Sequence, residues 1–105
     1  MKTVITSAGE GENSLFDLRF GRAAWFCIYD DADGSIKFLE NRHINASSGA
    51  GGKVVEDILE LGVSKVISGD FGPKAKDLLE KFNVQMVILK DDHKTVQDIL
   101  SNLKL

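Results

Sequence analysis

Cysteine, proline and tryptophan are nearly missing from this sequence of 105 residues, which contains one of each. The single thiol, Cys27, can neither close an internal disulfide nor build a cysteine-rich metal site. Because no apolar leader follows Met1 either, we expect a cytoplasmic protein. Apolar runs stay below the roughly 18 residues that a membrane span needs. The net charge of -3 disfavours a general nucleic-acid surface, so we expect neither membrane nor nucleic acid as a partner.

What remains is the composition of one globular domain covering residues 1–105. Hydrophobic residues make up 43% and charged residues 28% of the chain, which is ordinary for folded proteins. A chain of this size buries about two-thirds of the surface that its unfolded form exposes. We therefore expect a single domain that folds without a metal or a disulfide.

The motifs of nucleotide-binding proteins and of common enzymes are also absent. Gly52-Lys53 is followed by Val54 where a P-loop requires Ser or Thr, and residues 9–11 (GEG) lack the third glycine of a dinucleotide fingerprint. The first predicted strand supplies no carboxylate for a two-metal nuclease. Since no nucleophile is paired with a base, we predict a protein that is not an enzyme.

Hydrophobic periodicity predicts an α/β fold with elements in the order βββαβαβα. Residues 23–29 (AAWFCIY) form an unbroken apolar run, typical of a strand covered on both faces, and we place this strand centrally. Turn chemistry at Asp33-Gly34 predicts a hairpin into the next strand. Three signals then bound the helices: Gly62 as a C-cap, Pro73 in a first turn, and Thr95 with Asp98 as a capping box.

The predicted topology brings several loops to one edge of the sheet. If the first, third, fourth and fifth strands are parallel, residues 7–22, 42–52, 69–72 and 90–94 lie together. Open α/β sheets bind ligands outside the carboxyl ends of their strands. This edge is therefore the predicted site.

Positive charge is concentrated at this edge. The three arginines of the chain, Arg19, Arg22 and Arg42, fall in or beside its two long loops. Lys53 follows in a first helical turn, where free backbone amides and the helix dipole favour an anion. The pattern predicts an anion site. Alternatively, the arginines only solvate the rim and pair with Glu10, Glu12 or Asp17.

Three motifs in this order resemble a known family. Residues 19–23 (RFGRA), 48–52 (SGAGG) and 66–75 (VISGDFGPKA) are similar to the dinitrogenase iron-molybdenum cofactor biosynthesis family of NifX-like proteins and the C-terminal part of NifB. The resemblance covers nearly the whole chain. It implies a three-layer α/β/α, RNase H-like fold with a five-stranded mixed sheet, and binding of iron-sulfur precursors without catalytic residues.

Two departures shape the expected chemistry. Relatives that handle the cofactor tend to have His before Phe-Gly, where this chain has Arg19, and many have His before Gly-Ala-Gly, where it has Ser48. Arginine does not coordinate metals in proteins, but it binds anions through charge-assisted hydrogen bonds. His43, beside the glycine loop, is the remaining candidate metal ligand.

Together these observations predict a carrier of an iron-sulfur or iron-molybdenum-type cluster, or of a related anion. The cluster would be bound transiently and exchanged with a donor or acceptor protein. The alternative is a protein-binding or regulatory module of the same fold without a cofactor, contacting its partner through Leu15, Phe16 and Phe20. The expected cofactor-binding residues are Arg19, Phe20, Gly21, Arg22, Arg42, Gly49, Gly51, Gly52 and Lys53.

Overall fold

The computed structural model describes residues 1–104, and these form five strands and three helices. The observed order confirms the predicted βββαβαβα arrangement. In chain order the elements are β1 (Lys2–Ser7), β2 (Trp25–Asp30), β3 (Ser35–Glu40), α1 (Ala50–Glu60), β4 (Val63–Ser68), α2 (Pro73–Lys81), β5 (Gln85–Ile88) and α3 (Val96–Leu103).

The strands form one mixed sheet in the order β3-β2-β1-β4-β5. Strands β1, β4 and β5 are parallel, whereas β2 runs antiparallel to both β1 and β3. Strand β3 therefore points the same way as β1, and four strands end at one edge of the sheet. We call it the carboxyl edge. The predicted RNase H-like arrangement and the predicted gathering of loops are both confirmed.

Helices cover both faces of the sheet, because alternate strand residues point to opposite sides. Val4, Phe26 and Val66 pack with α1 and α2 on one face. Their neighbours Ile5, Cys27 and Ile67 pack with α3 on the other face. The result is the expected three-layer α/β/α sandwich with a separate apolar core on each side.

The apolar strand β2 does not occupy the middle of the sheet. It lies between β3 and β1, and the central strand is β1. Burial on both faces requires only a helix layer on each side, which this second position also provides. Strand β1 hides polar side chains as well: the hydroxyl of Thr6 donates to the backbone carbonyl of Asp17 and lies 3.1 Å from Ser68 Oγ.

Local signals bound the helices, and three of them lie at the positions predicted from the sequence. Gly62, after α1, and Asn83, after α2, adopt left-handed backbone conformations with φ of 76° and 59°. Pro73 opens α2, where the missing N–H costs nothing. Thr95 and Asp98 form the predicted capping box at the start of α3. Gly34 likewise takes a φ of 74° in the β2–β3 hairpin.

Candidate functional site

Close backbone contacts hold the loops of the carboxyl edge together. A Cβ on Gly21 would lie 2.8 Å from the backbone nitrogen of Gly51, and a Cβ on Gly69 would lie 2.6 Å from Cβ of Leu18. Between them Phe20 is buried, and its ring centroid lies 5.2 Å from that of Phe71. Glycine at positions 21 and 69 therefore permits packing, and Phe20 anchors the 19–23 loop in the core.

This packing creates a cleft between the starts of α1 and α2. It has a volume of about 280 Å³ and is lined by residues 21, 22, 49–52 and 72–75. We call it the α1/α2 cleft. The two helix starts touch there, since a Cβ on Gly51 would lie 3.3 Å from Cβ of Ala75.

Both helices begin without a side-chain cap. The first backbone amides of a helix have no carbonyl partner within that helix. Among residues 1–104, no acceptor is bound by the amides of Ala50, Gly51, Gly52, Lys74 or Ala75. Residues from two helix starts, whose N–H groups bind no acceptor in the described chain, thus line one cleft.

Three cationic side chains border these amides. Arg22 lines the cleft and donates from Nη1 to the carbonyl of Ile44 at 2.8 Å. Lys74 lines both the cleft and an adjoining hollow of about 400 Å³ that Lys53 also borders. Within the described chain, none of the three forms a salt bridge. Glu56 is the one acidic residue along the two depressions.

Arg19, by contrast, is matched by a carboxylate. Its Nε and Nη2 atoms donate to the two carboxylate oxygens of Asp17 at 3.2 and 3.1 Å. This hydrogen bonding raises the pKa of Arg19 above its usual value. The alternative expectation of a pairing with Asp17 therefore holds for this arginine, while Glu10 and Glu12 form no salt bridge with it.

Arg42 and His43 share a different carboxylate, on the flank of α1. Asp57 accepts from Arg42 Nε and Nη2 at 3.1 and 2.7 Å, and its Oδ2 lies 2.9 Å from His43 Nε2. The hydrogen bonds from Arg42 lower the pKa of Asp57. Arg42 lies outside the α1/α2 cleft and lines a separate hollow with Leu39 and Glu60.

The start of α3 lies at the same edge but on the other face of the sheet. Its first amides are all used: Val96 donates to Ser14 O at 2.9 Å, Gln97 to Glu12 O at 2.8 Å, and Asp98 to Thr95 Oγ1 at 3.2 Å. This helix start has no donor left for a ligand.

Side-chain metal ligands do not converge on the cleft. Among residues 1–104, no three His, Cys, Asp or Glu side chains are grouped so that they could hold a metal ion. His43 is turned toward Asp57. Cys27 is fully buried in the core, and this burial raises its pKa to about 12, which keeps the thiol protonated and unreactive.

The residues suggested as partner contacts in the alternative interpretation are distributed unevenly. Phe16 and Phe20 are 3% and 1% exposed, so both belong to the core. Leu15 is 52% exposed and is the one member of the three that a partner could reach.

Sequence reasoning did not identify Lys74 as part of this site. Its side chain reaches Gly52, where an added Cβ would lie 3.3 Å from Lys74 Cε. The sequence did offer one signal for Lys74, because Gly72-Pro73 directly before it predicts a helix start at the carboxyl edge.

Among residues 1–104, no helix is long and apolar enough to cross a membrane.

Comparison with known proteins shows which family and which solved structures this chain is similar to. The family model described as dinitrogenase iron-molybdenum cofactor matches residues 1–104. The apo form of the orange protein from Desulfovibrio gigas is 27% identical and superimposes with a TM-score of 0.89, over 98% of this chain and 86% of that chain. A NifB-like protein from Thermotoga is 30% identical with a TM-score of 0.83, over 98% and 86% of the two chains. No protein with a curated description matches.

Proposed function

This chain belongs to the dinitrogenase iron-molybdenum cofactor family, and from that membership and the geometry of the α1/α2 cleft we propose that it binds and carries an anion without catalysing a reaction. The cargo we propose is an iron-sulfur or iron-molybdenum-type cluster, held transiently, or a related anion. A donor or acceptor protein would exchange this cargo.

The observation that carries the proposal is the convergence of unmatched donors and unmatched cations. Residues at the starts of α1 and α2 line the cleft, and the start of a helix carries a partial positive charge. Arg22, Lys53 and Lys74 border the same surface without a carboxylate partner in the described chain. An anion bound here satisfies both groups at once, as at other helix N-termini that bind phosphate or sulfate.

The donor set suits an anion held by charge and hydrogen bonds rather than by metal coordination. Backbone N–H, guanidinium and ammonium groups donate hydrogen bonds and offer no lone pair to a metal. His43 is the metal ligand predicted from the sequence, but its Nε2 lies 2.9 Å from Asp57 Oδ2. We therefore assign the main role to Arg22, Lys53, Lys74 and the amides of residues 50–52, with His43 secondary.

Of the other predicted site residues, several act on the cleft indirectly under this proposal. Phe20 and Gly21 fix the loop that carries Arg22, since Phe20 is buried and Gly21 packs on Gly51. Arg19 and Arg42 contribute less, because Asp17 and Asp57 already neutralise them.

The experiment is anaerobic reconstitution with iron and sulfide, followed by desalting and an absorbance spectrum. We expect a chromophore to stay with the wild-type protein. The double variant Arg22→Gln/Lys74→Gln should retain about a tenth of it or less, since two charge-assisted contacts are lost. The matched control Arg19→Gln/Arg42→Gln removes the same charge from paired arginines and should retain most of it.

Two results would contradict the proposal. One is the absence of any chromophore on the desalted wild-type protein, which would rule out a cluster as the cargo. The other is an equal loss in both double variants, which would mean that net charge alone matters. His43→Ala separates charge from coordination: loss of binding that is insensitive to salt would show that a metal-nitrogen bond dominates.

A further inference from the structure

The two outer strands of the sheet differ in how well their free edges are protected. Soluble proteins usually guard an edge strand with charged side chains. Strand β3 carries Lys37 and Glu40, whereas β5, the sequence QMVI, carries no charge. Among residues 1–104, no strand pairs with the outer side of β5.

The free edge of β5 offers main-chain hydrogen-bonding groups. Leu89 donates its N–H to Ser68 O of β4 at 2.9 Å. The backbone N–H and C=O groups of the odd-numbered residues 85–89 therefore face β4. Backbone groups alternate along a strand, so those of Met86 and Ile88 face outward. This pattern is what a strand added from another chain would pair with.

An apolar hollow of about 390 Å³ lies beside this edge. Phe71, Met86 and Ile88 supply its apolar lining, and Ile88 is 61% exposed. Exposed Lys76 and Lys90 border it together with Asp70. The charged lining of the hollow thus consists of two lysines and one carboxylate, and its net charge is positive.

We propose that β5 is a docking site for an extended, acidic segment of a partner protein, which adds as a sixth strand. Its backbone pairs with Met86 and Ile88, an apolar side chain enters the hollow, and its carboxylates lie near Lys76 and Lys90. This function is separate from anion binding in the α1/α2 cleft.

Charge complementarity favours this occupant over a second copy of the chain. Pairing of β5 with β5 would bring residues 82–89 (FNVQMVIL) of the copy against the edge, and this segment contains no carboxylate. The paired segment itself would then supply no carboxylate for the two lysines. An acidic extended segment satisfies the backbone groups, the apolar hollow and the lysines together.

The test is a phage-display experiment, in which short random peptides are selected for binding to the wild-type protein. Enriched peptides should combine apolar residues with Asp or Glu, and a synthetic peptide of the enriched sequence should perturb the NMR signals of Met86 and Ile88. Methylation of alternate peptide nitrogens should weaken binding at least about tenfold, because it removes main-chain hydrogen bonds. Enriched peptides that bind elsewhere, or bind equally well when methylated, would overturn the proposal.

Protein variants complete the test. Lys76→Glu/Lys90→Glu should weaken the acidic peptide about tenfold or more, whereas the control Lys37→Glu/Lys104→Glu, with the same change in net charge, should not. Ile88→Pro removes an outward N–H that the β4–β5 pairing does not need, and it should also weaken binding. Equal weakening by the two charge-reversed variants, or self-association of the wild type that Ile88→Pro abolishes, would contradict the proposal.

Discussion

Two kinds of helix start meet at the carboxyl edge, on opposite faces of one sheet. At α3 the first three amides donate to Ser14, Glu12 and Thr95. At α1 and α2 the corresponding amides bind no acceptor in the described chain. The first amides of every helix lack partners within that helix, so the difference lies in what the neighbouring chain supplies.

This difference shows why a helix start alone does not define a site. The dipole of α3 is satisfied by its own capping box, with Asp98 as the negative charge. Helices α1 and α2 instead begin with glycines and a proline, and cations border them. A helix start favours an external anion only where its donors and the nearby positive charges are left unmatched.

The largest effect on stability is expected from Gly21→Ala, which would force the 19–23 loop away from the start of α1 and so change the α1/α2 cleft. The new Cβ would lie 2.8 Å from the backbone nitrogen and 3.0 Å from Cα of Gly51. Since backbone atoms must move, we expect a loss of about 1–3 kcal/mol in unfolding free energy, measured by urea denaturation. Anion binding should fall as well. Gly72→Ala, with no atom within 4 Å of its added Cβ, is the steric control and should lose clearly less stability than Gly21→Ala.

Thr95→Ala tests the α3 side. Removing the Oγ1 acceptor leaves the amide of Asp98 without its partner, so we expect destabilisation of about 1 kcal/mol. Anion binding should not change, because this helix start has no role in it. Ser48→Ala, at a position that makes no cap at α1, should leave stability unchanged. Weakened anion binding in Thr95→Ala would contradict the distinction between the two faces.

A smaller effect on stability is expected from removing the carboxylate that pairs with Arg42. Asp57 has a lowered pKa in the folded protein because Arg42 donates hydrogen bonds to it. The stability that this pairing contributes is therefore fully present above the unfolded pKa of about 3.9. It is lost as the pH falls through the lower pKa of the folded protein. Asp57→Asn should therefore cost less than about 1 kcal/mol at neutral pH, and this cost should disappear in strong acid. Urea denaturation of both proteins across the acidic range measures it. A difference that grows on acidification would contradict the assignment.

The smallest effect on stability, with a clear effect on binding, is expected from making α2 resemble α3. Gly72 has an extended backbone with φ of -61° and ψ of 158°, which suits a side-chain cap. Gly72→Asp should stabilise the protein by only about 0.3 kcal/mol while its carboxylate repels a bound anion. Gly72→Asn caps without charge. If both variants bind the anion equally well in a titration, the cleft is not the site.

Local signals made the helix boundaries predictable. Gly62, Pro73 and the Thr95–Asp98 box each act within a few residues of the helix that they bound. The place of β1 at the centre of the sheet was harder to predict, because only Val4 and Ile5 mark it as apolar. Its buried Thr6 depends on hydrogen bonds to residues 11 and 62 positions away.

The candidate site was predictable at the level of an edge, but its charge pairing was not. Arg42 lies 15 residues from the carboxylate that neutralises it, and that distance becomes a contact only when the loop packs on α1. Lys74 joins the site because α1 and α2 pack closely at Gly51 and Gly52. Such pairings are properties of the assembled fold, so composition could indicate positive charge without showing which cations remain unmatched.

Titration of the isotopically labelled protein with inorganic molybdate, followed by amide NMR, tests the central claim most directly. The amides of residues 50–52, 74 and 75 should shift as the anion binds, and the shifts should weaken as salt is added. The amides of residues 96–98 should stay in place. Shifts centred on residues 96–98, or no shift at the α1 and α2 starts, would contradict the account.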